Sequence, residues 1–215
     1  MPREDFENNL KVVQDELIQL SSMVEKAVFK SIDALRNRDI NASQQVIDDD
    51  DAIDEKQQDI EDKCIELIAL EAPMAGDLRV IISVMMMATE LERIGDYAEG
   101  IGKISLAMGD LPPLKPLIDI PRMSDLATDM LRRSTEAFIN RDTALATSVR
   151  DDDDVVDELY HQVYRELLTF MMADPSTIQR ATYLIWVAHD LERVADRTTN
   201  MSERVIWLVT GQNPD

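Results

Sequence analysis

The chain has 215 residues, of which 43 are acidic and 22 are basic, so its formal net charge is −21. This charge argues against a nucleic-acid-binding protein, because phosphate backbones are bound by cationic surfaces. Hydrophobic residues make up 45% of the chain, enough for a core, and the single Cys excludes a disulfide framework and a zinc site built from thiolates. The start of the chain is polar, and the longest apolar run, 80–88, is far shorter than the ~20 residues of a membrane span. We therefore expect a soluble protein of a reducing compartment.

Three amphipathic helices are predicted in the first half of the chain. The first has apolar residues at alternating spacings of three and four over 10–35 and stops near Asn37. The second has the same spacing over 46–67, with Asp50 at a core position. The third follows Pro73 and has two adjacent apolar stripes, so we expect it to contact two neighbouring helices from the middle of a bundle.

A proline-rich segment separates this half from the next. The four prolines between 109 and 121 forbid a continuous helix there. The predicted domains are therefore a first three-helix bundle over 1–110, a linker over 111–121 and a second three-helix bundle over 122–215.

The second half repeats the pattern of the first. The apolar spacing of 46–67 recurs over 149–170, an offset of 103, and the segment 89–96 recurs at 189–196, an offset of 100. We predict an all-α protein built as a tandem repeat of two three-helix bundles, with six helices.

Several carboxylates lie where the helical period predicts burial. In the third helix, one apolar stripe continues as Glu92 and Asp96, which stand one turn, ~6 Å, apart along the axis. Asp50 and Asp54 are spaced in the same way on the second helix. Buried carboxylates need a cation, and oxygen ligands on facing helices are suited to a metal ion. The candidate metal ligands of the two halves are Asp50, Asp54, Glu92, Asp96, Asp153, Asp157, Glu192 and Asp196.

An alternative explanation of these carboxylates needs no metal. Glu92 and Asp96 could form surface ion pairs with arginines such as Arg93, and the aspartate runs could favour helix starts through the helix dipole. Recurrence on two helices in both halves favours the metal site. The Glu-x-x-His design of ferritin-like di-iron bundles is excluded, because the only histidines are His161 and His189.

Three other residues are weaker candidates for a role at the metal site. His189 could approach the second acidic group, although a histidine on a helix surface is the more common case. Cys64 is expected to be a small core residue. Gly95, which precedes Asp96, leaves room for a metal ion or for a closely packed neighbouring helix.

The acidic motifs resemble those of the PhoU family, the phosphate-uptake regulators associated with bacterial phosphate transport. The motifs are ERIGD at 92–96 and ERVAD at 192–196, and the segments 72–79 and 207–211 and the residue Asn200 are also similar to this family. The resemblance implies a tandem of three-helix bundles that carry multinuclear metal clusters. Iron or zinc is the implied metal, and Mg or Mn is an alternative.

The resemblance also implies a function. It is that of a cytoplasmic regulator, a homodimer held at the inner face of the membrane through its partners. The implied partners are the ATPase subunit of the phosphate ABC transporter and a sensor histidine kinase, and the implied outcome is repression of the phosphate-starvation response. The first half departs from the family pattern at one position. Asn200 follows the second motif, but the equivalent residue in the first half is Gly100, beside Glu99. The two sites could therefore differ in ligands or metal.

Two other functions compete with this regulatory adaptor. One is a metal-dependent enzyme that uses the carboxylate clusters, and the other is a metal-free helical scaffold whose acidic faces bind basic partners. A non-enzyme is favoured, because the sequence contains neither a glycine-rich phosphate-binding loop nor a recognisable nucleophile–base pair.

Overall fold

The structure is a computed structural model that describes residues 3–109 and 111–213. Within these ranges the chain forms six long α-helices, one 3-10 turn at Pro175–Thr177 and no strand, so the prediction of an all-α protein with six helices is confirmed. None of the described helices is both long and apolar enough to span a membrane. The helices are α1 (Arg3–Asn37), α2 (Ile40–Glu71), α3 (Ala75–Met108), α4 (Asp119–Asn140), α5 (Thr143–Ala173) and α6 (Ile178–Thr210).

Helices α3 and α6 lie at the centre of the molecule. Helices α1 and α2 pack on α3, α4 and α5 pack on α6, and α1 also contacts α4. α3 and α6 run antiparallel, since Asn200 bonds to Glu90 near one end of the contact while Gly100 faces Asp190 near the other. The buried apolar side chains of both halves form one continuous core. Helix α3 therefore has neighbours in its own half and in the other half, as expected for a central helix.

The tandem repeat is visible in the turns that begin α2 and α5. Each turn contains the sequence Asn-Arg-Asp, with Arg38 at φ 57° and Arg141 at φ 55°, both in the left-handed region. The next residue caps the helix: Asp39 accepts a hydrogen bond from a backbone N–H at 2.9 Å, and Asp142 does so at 3.0 Å. Such caps satisfy N–H groups that the first helical turn leaves unpaired.

The proline-rich segment ends earlier than the sequence indicated. Residues 111–118 are not helical, but α4 begins at Asp119, so Pro121 lies in the first turn of that helix. Proline is tolerated there because the first turn has no intrahelical partner for its missing N–H. The largely buried ammonium of Lys115 forms ion pairs with Asp119 and Glu166, which fix the segment against α5.

Helices α2 and α3 approach almost backbone to backbone at Gly102. A Cβ at this position would lie 3.1 Å from the carbonyl oxygen of Ser43 and 3.2 Å from a side-chain carbon of Ile47. Beside this contact, the buried hydroxyl of Ser43 donates a hydrogen bond of 2.8 Å to Ser105. This close approach brings the carboxylates of α2 near those of α3.

We predict that Gly102→Ala lowers the free energy of unfolding by about 1–2 kcal/mol, because overpacking against a fixed backbone outweighs the gain in helix propensity. Urea unfolding followed by circular dichroism measures this change. Gly76→Ala is the control, because a Cβ at Gly76 would meet nothing within 4 Å, and this variant should be neutral or stabilised by up to ~1 kcal/mol. Equal effects of the two substitutions would contradict the close packing of α2 on α3.

Candidate metal centre

The first acidic cluster lies between α2 and α3. Carboxylate oxygens of Asp50, Asp54 and Asp96 all lie within 4.8 Å of one another. Glu92 lies nearby, and its pKa is raised by burial and by the charges of Asp96 and Asp54. The structure thus brings together all four residues that the helical period selected in this half.

Asp50 is the innermost member of this cluster. Its side chain is only 8% exposed, and no described group donates a hydrogen bond to it. Burial, followed by the charges of Asp54, Glu99 and Asp96, raises its pKa to about 7. A buried carboxylate with like charges around it and no donor is costly, and either a proton or a bound cation removes that cost.

Glu99 belongs to the electrostatic surroundings of the first cluster but was not among the candidate ligands. Its charge raises the pKa of both Asp50 and Asp96, and its carboxylate pairs with Lys103 at 2.5 Å. Glu99 extends the acidic face of α3 that carries Glu92 and Asp96. Its counterpart in the second half is Thr199, so this carboxylate is not repeated.

The second acidic cluster lies between α5 and α6. Burial and the charges of Asp196, Asp157 and Glu192 raise the pKa of Asp153 to about 6. One oxygen of Asp153 and one of Glu192 are shielded from solvent and accept no hydrogen bond. The four candidate residues of this half are therefore also close enough to interact.

The two clusters differ in geometry. Across the described residues, only the first half brings three potential ligand oxygens within 4.8 Å of one another. In the second half, Asp196 is paired with Arg193, whose Nη1 lies 2.5 Å from the carboxylate. Asp196 in the second half therefore forms the kind of ion pair that the metal-free explanation expects. In the first half, Arg93 lies 4.0 Å from Glu90 instead.

Gly95 sets the depth of Asp50. A Cβ at Gly95 would lie 3.0 Å from Ile53 and 3.2 Å from the Asp50 carboxylate. Gly95 therefore allows the close approach of a neighbouring helix, α2, which is one of the two roles expected for it. The approach holds Asp50 against the face of α3 that carries Asp96.

Cys64 is a core residue, whereas the two histidines lie on the surface near the second cluster. Cys64 is fully buried, and burial raises its pKa to about 12, so the thiol is a core group as expected. The side chain of His189 is 52% exposed, with Nδ1 3.7 Å from Asp190, which agrees with a surface position. His161 is exposed, and its charge acts to lower the pKa of Asp157.

The two clusters offer only carboxylate oxygens, with four negative charges each when fully ionised. Such sites suit Mg²⁺, Mn²⁺ or iron better than a metal that prefers sulfur. Asp54 and Asp96 are exposed to solvent, so a bound cation would lie at the edge of the helix pair rather than inside the core. The residues present therefore fit a metal ion, and Asp50, Asp54 and Asp96 would be its nearest ligands in the first half.

We predict that the metal-free protein becomes more stable as the pH falls from 7.5 to about 5.5. Because Asp50 and Asp153 have pKa values of about 7 and 6 in the folded chain, against 3.8 ordinarily, the folded state binds protons in this window that the unfolded chain does not. The free energy of unfolding therefore rises as the pH falls through the folded pKa values. With a chelator present, the melting temperature should increase by roughly 2–4 °C, the change that ~1 kcal/mol produces in a chain of this size.

The Asp50→Asn variant distinguishes the effect of protonating Asp50 from the effect of the general decrease in negative charge at lower pH. In this variant the rise in melting temperature should be smaller, because one of the two titrating groups is gone. Asp51→Asn, on the exposed side of α2, should retain the full rise. A melting temperature that falls over the same interval in the unmodified chain would contradict the buried position of these carboxylates.

The chain is similar to known proteins over nearly its whole length. The family model for the PhoU domain matches residues 17–105 and again residues 120–205. A phosphate-specific transport system accessory protein PhoU homolog from Aquifex aeolicus is 41% identical over 203 residues, covering 94% of this chain and 92% of that protein. A homolog of the same name from Clostridium acetobutylicum is 37% identical over 216 residues, covering 100% of this chain and 99% of that protein.

Two solved structures have a similar fold. The crystal structure of PhoU from Pseudomonas aeruginosa matches with a TM-score of 0.92 and 34% sequence identity, covering 96% of this chain and all of that one. The phosphate transport system regulatory protein PhoU from Streptococcus pneumoniae matches with a TM-score of 0.91 and 30% identity, covering 98% and 99%. The likeness therefore extends over both halves and the connection between them.

Proposed function

The chain belongs to the PhoU family, and on that basis we propose that it is an accessory protein of phosphate-specific transport that binds metal ions and regulates phosphate uptake. Its role is that of an adaptor rather than an enzyme. The relatives described above carry the names of accessory and regulatory proteins, which supports this choice.

The observation that carries the metal-binding part of the proposal is the convergence of Asp50, Asp54 and Asp96. Three carboxylate oxygens within 4.8 Å of one another repel strongly unless a cation lies among them. Asp50 is the decisive member, because it is buried and has no hydrogen-bond donor among the described residues. A divalent ion would remove the repulsion and supply the missing partner.

The adaptor part of the proposal rests on the family and on charge. We propose that the chain acts on the cytoplasmic side of the membrane and links the ATPase subunit of the phosphate ABC transporter to a sensor histidine kinase. When phosphate is plentiful, it represses the phosphate-starvation response. With a net charge of −21, its partners should offer basic surfaces, and association with the membrane would occur through those partners. We further propose that it acts as a homodimer.

We predict that Asp50→Asn/Asp54→Asn abolishes cation binding at the first cluster. In the unmodified chain, Mn²⁺ at a hundredfold excess over its Kd should stabilise the fold by ~2.7 kcal/mol for each site filled, and EDTA should reverse this. The double variant should lose the part of this stabilisation that comes from the first cluster. The measurement is the melting temperature with and without Mn²⁺. Glu192→Gln/Asp196→Asn makes the corresponding test of the second half.

The matched control is Asp51→Asn/Glu55→Gln, which removes the same charge from exposed positions on the same helix. Its response to Mn²⁺ should equal that of the unmodified chain, with a stability change of about 0.5 kcal/mol or less. If control and cluster variants respond alike, the carboxylates act only as diffuse surface charge, and the metal-binding role is wrong.

The regulatory role predicts a phenotype in the organism that encodes the chain. Deletion of its gene should derepress phosphate-starvation genes in phosphate-rich medium, measured with a reporter fused to such a promoter. The unmodified gene and the Asp51→Asn/Glu55→Gln control should restore repression. Unchanged reporter expression after deletion would rule out the regulatory role and leave the fold and the metal sites unaffected.

A further inference from the structure

The arginines of the two acidic motifs behave differently. Arg93 and Arg193 occupy the same position in the two repeats, directly after the motif glutamate. Nη1 of Arg193 lies 2.5 Å from Asp196 and neutralises that carboxylate. Arg93 forms no such pair with Asp96; its side chain is 48% exposed and lies 4.0 Å from Glu90. Arg193 thus forms an ion pair with a candidate ligand of the second cluster, whereas the described residues form no such pair with the four candidate ligands of the first. Lys103 lies near the first cluster but pairs with Glu99, which is not one of those ligands.

The cause of this difference lies across the contact between α3 and α6. Arg193 interacts with Tyr97 of the opposite half, and this interaction raises the pKa of the guanidinium. At the equivalent position in the second half the residue is Arg197 instead of tyrosine. The guanidinium of Arg197 repels Arg93, whereas the hydroxyl of Tyr97 can accept a hydrogen bond from Arg193.

Arg197 is itself engaged in a separate contact at the same boundary. Its Nη1 lies 3.4 Å from Glu90, which also accepts a hydrogen bond of 3.3 Å from Asn200. Burial acts to lower the pKa of Arg197, and its interactions with Tyr97 and Glu90 raise it. Arg93 is therefore left at the solvent-exposed edge, and the carboxylates of the first cluster keep no paired cation.

We propose that Arg193 is an intramolecular counter-cation of the second cluster, so that the two clusters of one chain bind metal in a fixed order. The first cluster is ready to accept a cation, whereas the second accepts one only when Arg193 leaves Asp196. This inference rests on the proposed metal binding and assigns a regulatory residue to it.

The remaining ligands of the second cluster support this order. Asp153 and Glu192 each keep one oxygen that is shielded from solvent and has no hydrogen-bond partner. These two oxygens lack the partner that a bound cation would supply. Because Arg193 also interacts with Tyr97, its release from Asp196 would affect a contact between the two halves.

The experiment measures Mn²⁺ affinity for each cluster separately by loss of the electron paramagnetic resonance signal of free Mn²⁺. Glu92→Gln/Asp96→Asn leaves the second cluster intact, and Glu192→Gln/Asp196→Asn leaves the first. In these two backgrounds the first cluster should bind about tenfold more tightly than the second, equivalent to ~1.4 kcal/mol.

Arg193→Gln and Arg93→Gln form the matched pair, because each removes one positive charge from the same position of one motif. Arg193→Gln should raise the affinity of the second cluster about tenfold, while Arg93→Gln should change that of the first by less than about threefold, within the range of an exposed charge. Tyr97→Phe should raise the affinity of the second cluster by about threefold, although Tyr97 belongs to the first half.

The possible results separate this inference from the proposed metal binding. If neither cluster binds Mn²⁺ while circular dichroism shows the helices intact, both proposals are overturned. If both clusters bind with equal affinity, or if the two arginine substitutions have equal effects, metal binding stands and the role of Arg193 is overturned. Ordered binding with a selective effect of Arg193→Gln supports both.

Discussion

The antiparallel packing of α3 on α6 is the contact on which the rest of the structure depends. Each of these helices belongs to a different repeat, and the buried apolar residues of both repeats form one continuous core. Leu91 and Leu191, which are equivalent in the two repeats, are both fully buried. Burial of apolar surface of this kind is the largest favourable contribution to folding, so the two repeats form one core and one cooperative unit.

The same helices carry half of each acidic cluster, and α2 and α5 carry the other half. On α3 and α6 the apolar stripe continues without a change of face into Glu92 and Glu192, which are therefore partly buried. Asp50 is the most buried member of the first cluster. Desolvation and mutual repulsion destabilise the ionised forms, and the raised pKa values of Asp50 and Asp153 reflect this cost.

The two halves reduce this cost in different ways although their motifs are nearly the same. In the first half the carboxylates converge and remain unpaired, which suits a cation from solution. In the second half Arg193 lies 2.5 Å from Asp196. The proposed displacement of Arg193 by a cation would couple the second site to the contact between the halves, and such a coupling between two states is what a regulator requires.

The sequence by itself determined the helical content, the tandem repeat and the eight carboxylates that the structure groups into two clusters. These features are local or periodic: the spacing of apolar residues sets the buried face of a helix, and an acidic residue on that face is conspicuous. The sequence also indicated from the two stripes on α3 that this helix is central. The exact end of the proline-rich segment was less clear, because Pro121 is compatible with both a linker and a helix start.

Only the tertiary structure decided which carboxylates converge and which are neutralised. Asp196 pairs with Arg193 while Asp96 does not pair with Arg93, and Arg193 also interacts with Tyr97, a residue of the other repeat. The depth of Asp50 likewise depends on the approach of α2 to Gly95. Charge interactions change steeply with distance and burial, so contacts between residues far apart in the chain control them, and helical periodicity contains no information about such contacts.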